Sequence, residues 1–199
     1  VQFITGSHDF LENSVLNGSL DFAVLPLPLH SSRLSYTLIV TERMVFAVPP
    51  AHPLLADKQV TDDTLAHPIL LNPEELNGET FLVVPSDHGI FKILEETLNR
   101  HHIRPGKYME FPDSNLTYKL ACENIGITFI QDTTAVYPGY YKKACFCTLD
   151  DPPVKSCIVA AYRSDIGLSP LSSCFLDIAL KIAETSPFLQ IKEKPCSEI

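Results

Sequence analysis

An α/β fold is predicted for this 199-residue chain by two features of its pattern. Short apolar strands alternate with amphipathic helical stretches, as in layered α/β domains. Several strands are also continuous apolar runs, such as Val45–Val48 and Phe81–Val84, as expected where helices cover both faces of a sheet. The length allows one large domain or two small lobes, each with its own core. A hydrophobic content of 45% with 20% charged residues fits a soluble globular protein rather than a disordered one.

Taken in order, Gln2–Ile4 reads as a strand already under way at Val1, and the missing initiator Met makes a fragment the expectation. The first helix is predicted from Asp9 to Asn17, with Asp9 as N-cap, Glu12 as its partner and Gly18 as the left-handed stop. Strands are predicted over Asp21–Leu25, Leu38–Val40, Val45–Val48, Phe81–Val84, Tyr108–Phe111, Ile127–Ile130 and Cys157–Tyr162. A second helix is predicted from about His88 to Arg100, capped by Ser86 or Asp87, with Ile90, Leu94 and Leu98 on one face. The third follows Asp113-Ser-Asn115, pairs Leu116 with Leu120, and ends near Asn124 to Gly126. The last runs from Pro170 to Glu184, its stripe of Leu171, Phe175, Ile178 and Ile182 expected to need a core to cover it.

Charge and cysteine content narrow the function. With a net charge of −9 and no basic face, the chain is not expected to bind DNA by itself. No apolar run approaches the roughly 18–20 residues that span a bilayer, and no secretory signal opens the sequence. Six cysteines lie mostly within apolar patterns and are expected as buried free thiols in a reducing cytoplasm. Cys145 and Cys147 face one side of a strand without a second ligand pair at zinc-site spacing, so no metal or cofactor is expected. Catalytic fingerprints are also missing: there is no Gly-x-Ser-x-Gly elbow, no phosphate-binding glycine loop and no His-Glu-x-x-His, and an enzyme is not expected.

Several motifs recur in a telling order. They are Gly18-x-Leu-Asp21 before a strand, Val48-Pro-Pro-x-His-Pro-Leu54 at a turn, Leu76-x-Gly-x-x-Phe81 and, after the Tyr108–Phe111 strand and a helix, Gly126-Ile-x-Phe-Ile130. In that order and spacing the chain resembles the effector-binding domain of LysR-type transcriptional regulators, over nearly its whole length. The resemblance implies two Rossmann-like lobes joined by two crossover strands, the type 2 periplasmic-binding-protein-like architecture. Relative to the family, the winged helix-turn-helix, the linker helix and the opening strand and helix of the first lobe are not found before Val1. Polar, proline-containing stretches at 51–79 and 148–153 are the expected crossovers. Lobe one is then residues 1–79 with 154–199, and lobe two residues 80–153.

Ligands of open α/β sheets sit beyond the carboxyl ends of strands, where helix N-termini present unpaired backbone donors. Three junctions fit: Thr5, Gly6, Ser7 and His8 after the first strand; Ser86, Asp87 and His88 after the first strand of lobe two; and Ser114 and Asn115 before the third helix. Thr128 and Gln131 on the following strand, with Pro28 and His30 at the rim, complete the expected site. Hydroxyls and amides beside helix dipoles suit a carboxylate or another small anion. Capping alone also accounts for Ser7, Asp9, Ser86, Asp87, Asp113 and Ser114, and His8 and His88 also read as solvent-facing loop histidines without metal-ligand partners. Arg33 and Lys119 are the nearest cations, and both fit solvated surface positions. The function implied by the resemblance is a sensor domain that binds a small-molecule effector between its lobes. It also implies homodimers through the lobes, tetramers in the full-length protein, and DNA contact only through the N-terminal domain. An exported solute-binding protein of the same fold is the alternative.

Overall fold

The computed structural model describes residues 1–61, 63–136 and 143–185. Two compact units emerge, Val1–Glu42 with Lys155–Ile199 and Arg43–Val154.

In the first unit, α1 (His8–Leu16) starts at the N-cap Ser7, whose hydroxyl accepts from the Phe10 amide at 3.3 Å. The helix stops at Gly18, whose φ of +80° is the left-handed turn that glycine adopts without steric penalty. β1 (Ala23–Pro26) then pairs antiparallel with β8 (Lys155–Arg163), with Ala23 opposite Ala161 and Pro26 opposite Ile158. β8 lies between β1 and β2 (Leu34–Val48). Val15, Ala23, Leu25, Leu34 and Ala161 form the core of this unit.

The second unit is a strand-helix-strand-helix-strand winding. β4 (Thr80–Val83), α2 (Gly89–Arg100), β5 (Lys107–Glu110), α3 (Ser114–Cys122) and β6 (Ile127–Gln131) follow one another, with β4 parallel to both β5 and β6. The end of β2 runs antiparallel to β6 on one side and to β7 (Cys145–Thr148) on the other, and the short β3 (Ile69–Leu70) joins β7 in parallel. Alternate residues of β2 enter different cores. Met44, Phe46 and Val48 pack with Phe81, Leu94 and Leu98, on the side of α2. Val45 and Ala47 pack with Tyr118, Cys122 and Ile130, on the side of α3. That is why Val45–Val48 is apolar without alternation.

Several expectations are corrected. Gln2–Ile4 joins no strand, and Phe3 is 80% exposed. Leu38–Val40 and Val45–Val48 are one strand because Thr41, Glu42 and Arg43 continue the extended backbone. Residues 43–79, expected in lobe one, belong to the second unit, where they form the end of β2, β3 and two 3-10 turns at Pro53–Leu55 and Pro73–Leu76. The second of these turns carries a capping box between Asn72 and Glu75. A five-residue helix, α4 (Asp132–Val136), follows β6 without a sequence signal.

Two helices also turn other faces inward. α3 buries Thr117, Tyr118, Ala121 and Cys122 and leaves Leu116 exposed. α5 (Pro170–Thr185) buries Ser172 and Leu176, while Leu171, Phe175, Ile178 and Ile182, expected in the core, are exposed. Cys122, Cys145 and Cys147 are buried free thiols as expected, and Cys174 is free but exposed. Cys157 departs from expectation in being disulfide-bonded. Among the described residues, no helix is long and apolar enough to cross a membrane.

Candidate functional site

In the second unit, β4 and β5 are parallel neighbours, so their carboxyl ends share one edge. The segment after β4 places Ser86 and Asp87 in a turn and His88 at the N-cap of α2. The segment after β5 places Asp113 at the N-cap of α3, with Ser114 and Asn115 as the first residues of that helix. Winding alone therefore brings Ser86, Asp87, His88, Ser114 and Asn115 to the same edge, the position where α/β sheets bind ligands.

The two helix starts differ. Asp113 accepts from the Leu116 amide at 3.0 Å and so occupies the start of α3. Neither Ser86 nor Asp87 caps α2 as expected, because a turn closed by the His88 amide on the Pro85 carbonyl, at 3.0 Å, delays the helix until Gly89. His88 takes the cap position and makes no side-chain cap bond. The first turn of α2 thus keeps backbone donors that no capping side chain occupies, which suits a small anion.

Thr128 lies elsewhere. It is 1% exposed, and its hydroxyl is 2.9 Å from both the Leu82 carbonyl and the Thr117 hydroxyl, tying β6 to β4 and α3. Gln131, half-buried, ends β6 at the same edge as the two helix starts.

In the first unit, Thr5 and Gly6 are exposed in the extended lead to Ser7. Pro28 is exposed beyond β1, after a cis Leu27–Pro28 bond. The start of α1 and the segment after β1 meet through four side chains. His8 Nε2 lies 3.1 Å from Glu12 Oε1, and the His30 amide donates to that same oxygen at 2.7 Å. His30 Nδ1 is 2.9 Å from Asp9 Oδ1, and the His8 and His30 rings stack with centroids 4.5 Å apart. Two expectations change here. Asp9 is not the N-cap, since the helix begins at His8 and its N-cap is Ser7, two residues before Asp9. His8 is not a loop histidine but the first helical residue, bound to Glu12 one turn later. The His8-x-x-x-Glu12 spacing was the available signal. The involvement of His30 was not readable locally, because it is 18 residues from Glu12.

Two further features lie apart from this edge. A cavity of about 190 Å³ is lined by Leu16, Arg33, Arg163, Ser164 and Asp165. Arg163 already forks onto Asp165 through Nε at 3.0 Å and Nη2 at 2.6 Å, which neutralises its charge. Burial pushes the Cys147 thiol up to about 12, so it stays protonated and unreactive near neutral pH.

Comparison with known proteins adds a lineage. A family model described as the LysR substrate binding domain matches residues 1–183. The transcriptional dual regulator GltC of Bacillus subtilis is 26% identical over 179 residues, covering 88% of this chain and 55% of that protein. The chain thus spans about half the length of this curated relative. Among solved structures, the regulatory domain of CcmR from Synechocystis PCC6803, in complex with 2-PG, superposes with a TM-score of 0.73 at 19% identity, covering 90% of this chain and 81% of that one. The effector-binding domain of QuiR in complex with shikimate gives 0.66 at 17% identity, covering 90% and 79%. Full-length BenM gives 0.68 at 21% identity, covering 92% of this chain and 56% of that one.

Proposed function

This chain belongs to the LysR substrate-binding domain family, and on that premise we propose that it is the effector-sensing part of a longer transcriptional regulator. The family match across residues 1–183 carries the reading and favours it over an exported solute-binding protein. The relatives with bound ligands hold 2-PG and shikimate, and shikimate is a carboxylic acid. A small organic acid is therefore the effector class proposed here. Its carboxylate is assigned to the start of α2, with Ser86, Ser114 and Asn115 supplying donors along the edge. No catalytic step is invoked: the ligand acts by preferring one state of the regulator over another.

DNA contact is assigned to an N-terminal domain of the regulator, since a net charge of −9 sets the field of this chain against phosphates. The proposed assembly is a homodimer through the lobes and a tetramer in the full-length regulator, acting in the cytoplasm. The exposed Leu171, Phe175, Ile178 and Ile182 of α5 offer apolar surface for such packing.

A thermal-shift screen with shikimate, 2-PG and other small carboxylic acids tests the proposal. One of them is expected to raise the melting temperature in proportion to the logarithm of its concentration once it exceeds Kd. No shift from any acid at millimolar concentration would refute the effector class. With a ligand in hand, Ser86→Ala and Ser114→Ala are each expected to weaken binding about tenfold, as for loss of a hydrogen bond to a charged group. Their stability should change by less than about 0.5 kcal/mol. Calorimetry on the two variants checks this, and unchanged affinity in both would move the site off this edge.

A further inference from the structure

We propose that His8, Glu12 and His30 form a binding site for a divalent transition metal of the zinc class. Two imidazoles and a carboxylate are a donor set that such ions accept. One ligand atom from each residue lies within 4.8 Å of the others. Bonds of about 2.0–2.2 Å to a central ion set tetrahedral ligands roughly 3.4 Å apart. His8 Nε2 and Glu12 Oε1, at 3.1 Å, are already near that separation. Rotation about the soft terminal torsions of the rings brings in the third.

The site is held from several sides. His8 and Glu12, four residues apart on α1, share one helix face. The Glu12 side chain is only 5% exposed, and the His30 amide fixes its Oε1. A carboxylate buried to that degree requires partners for its charge. Asp9 accepts from His30 Nδ1, which holds the proton there and leaves Nε2 free as a ligand. Carboxylate support behind a ligating histidine is the usual outer shell of a metal site. The His30 side chain is 52% exposed, so an ion has a path in and a position for water.

Titration of the chain with Co²⁺ as a spectroscopic stand-in for Zn²⁺ tests the site. One equivalent is expected to bind near neutral pH, with visible d–d absorption, no thiolate-to-metal charge-transfer band, and displacement by Zn²⁺. His30→Gln, on a side chain 52% exposed, is expected to weaken Co²⁺ binding by about tenfold or more. Asp9→Asn is expected to weaken it by about 10–100-fold while the unfolding midpoint stays unchanged, which identifies Asp9 as a positioning residue. The absence of a d–d spectrum at millimolar Co²⁺ would overturn the proposal. So would a thiolate band, or an affinity unaltered by His30→Gln.

Discussion

Replacing Asp132 by alanine is expected to destabilise the unit formed by residues 43–154 by about 3–5 kcal/mol. Asp132 is 1% exposed at the start of α4. Its Oδ1 accepts from the Arg43 amide at 3.1 Å, and its Oδ2 accepts from Arg43 Nε at 2.8 Å. The same guanidinium donates to the carbonyls of Leu65 at 2.7 Å and Ala66 at 3.1 Å. The Arg43–Asp132 pair thus holds together β2, α4 and the loop before β3. An intact buried pair adds little net stability, because desolvation offsets the attraction. Removing one member is different: it leaves the Arg43 charge mostly out of water with no counter-ion. Asp132→Asn keeps an acceptor for the Arg43 amide and is expected to lose less, about 1–3 kcal/mol. Denaturant midpoints of both variants measure this. A loss below about 1 kcal/mol for the alanine variant would mean that solvent screens the pair.

Alkaline pH is expected to destabilise the same unit through Cys147. Burial, with a smaller contribution from Cys145 beside it, pushes this thiol from 9.0 to about 12. Burial also raises the Cys122 and Cys145 thiols and the Tyr118 hydroxyl. Below pH 9 both the folded and the unfolded chain keep the Cys147 proton, and stability does not depend on it. Above pH 9 the unfolded chain releases the proton while the folded chain keeps it, so each further pH unit favours unfolding by about 1.4 kcal/mol. The loss accumulates until the folded thiol itself titrates near 12. Between about pH 9 and pH 10.5 the wild type should therefore lose roughly 2 kcal/mol more than Cys147→Ala, whatever other groups contribute to both. Urea midpoints across that range give the difference. Parallel curves for the two proteins would show that the thiol titrates in the folded state as it does in the unfolded chain.

Much of the second unit was legible in the sequence, because its signals are local. Val45–Val48, Phe81–Val84 and Ile127–Ile130 are apolar enough to be buried on both faces, and the structure places helices on both. Asp113 caps α3 and Gly18 stops α1, as residue type alone dictates. Placement of Ser86, Asp87, His88, Ser114 and Asn115 at strand ends followed from the alternation of strand and helix. Their sharing of one edge required only that β4 and β5 be parallel.

Other features depended on neighbours that periodicity does not name. α5 carries a helical stripe of large apolar residues, yet Leu176 and small residues face inward. A 3.6-residue repeat of large side chains marks one face of a helix as apolar, but not which surface is available to cover it. Thr128 looked like a strand-end ligand and is instead locked between Leu82 and Thr117. Ser86 and Asp87 lost the cap of α2 to a turn whose closing bond no composition announces.

What the sequence by itself determined is the strand-helix alternation from β4 to β6, the two-faced cores of the central strands and the residue types gathered at strand ends, since each rests on backbone geometry and contacts within a few residues. The tertiary structure alone decided the continuity of β2, the inward face of α5, the burial of Asp132 against Arg43 and the meeting of His8 and Glu12 with His30. Each of these is a contact between distant segments, and its energy exists only once the chain has closed the loop between them.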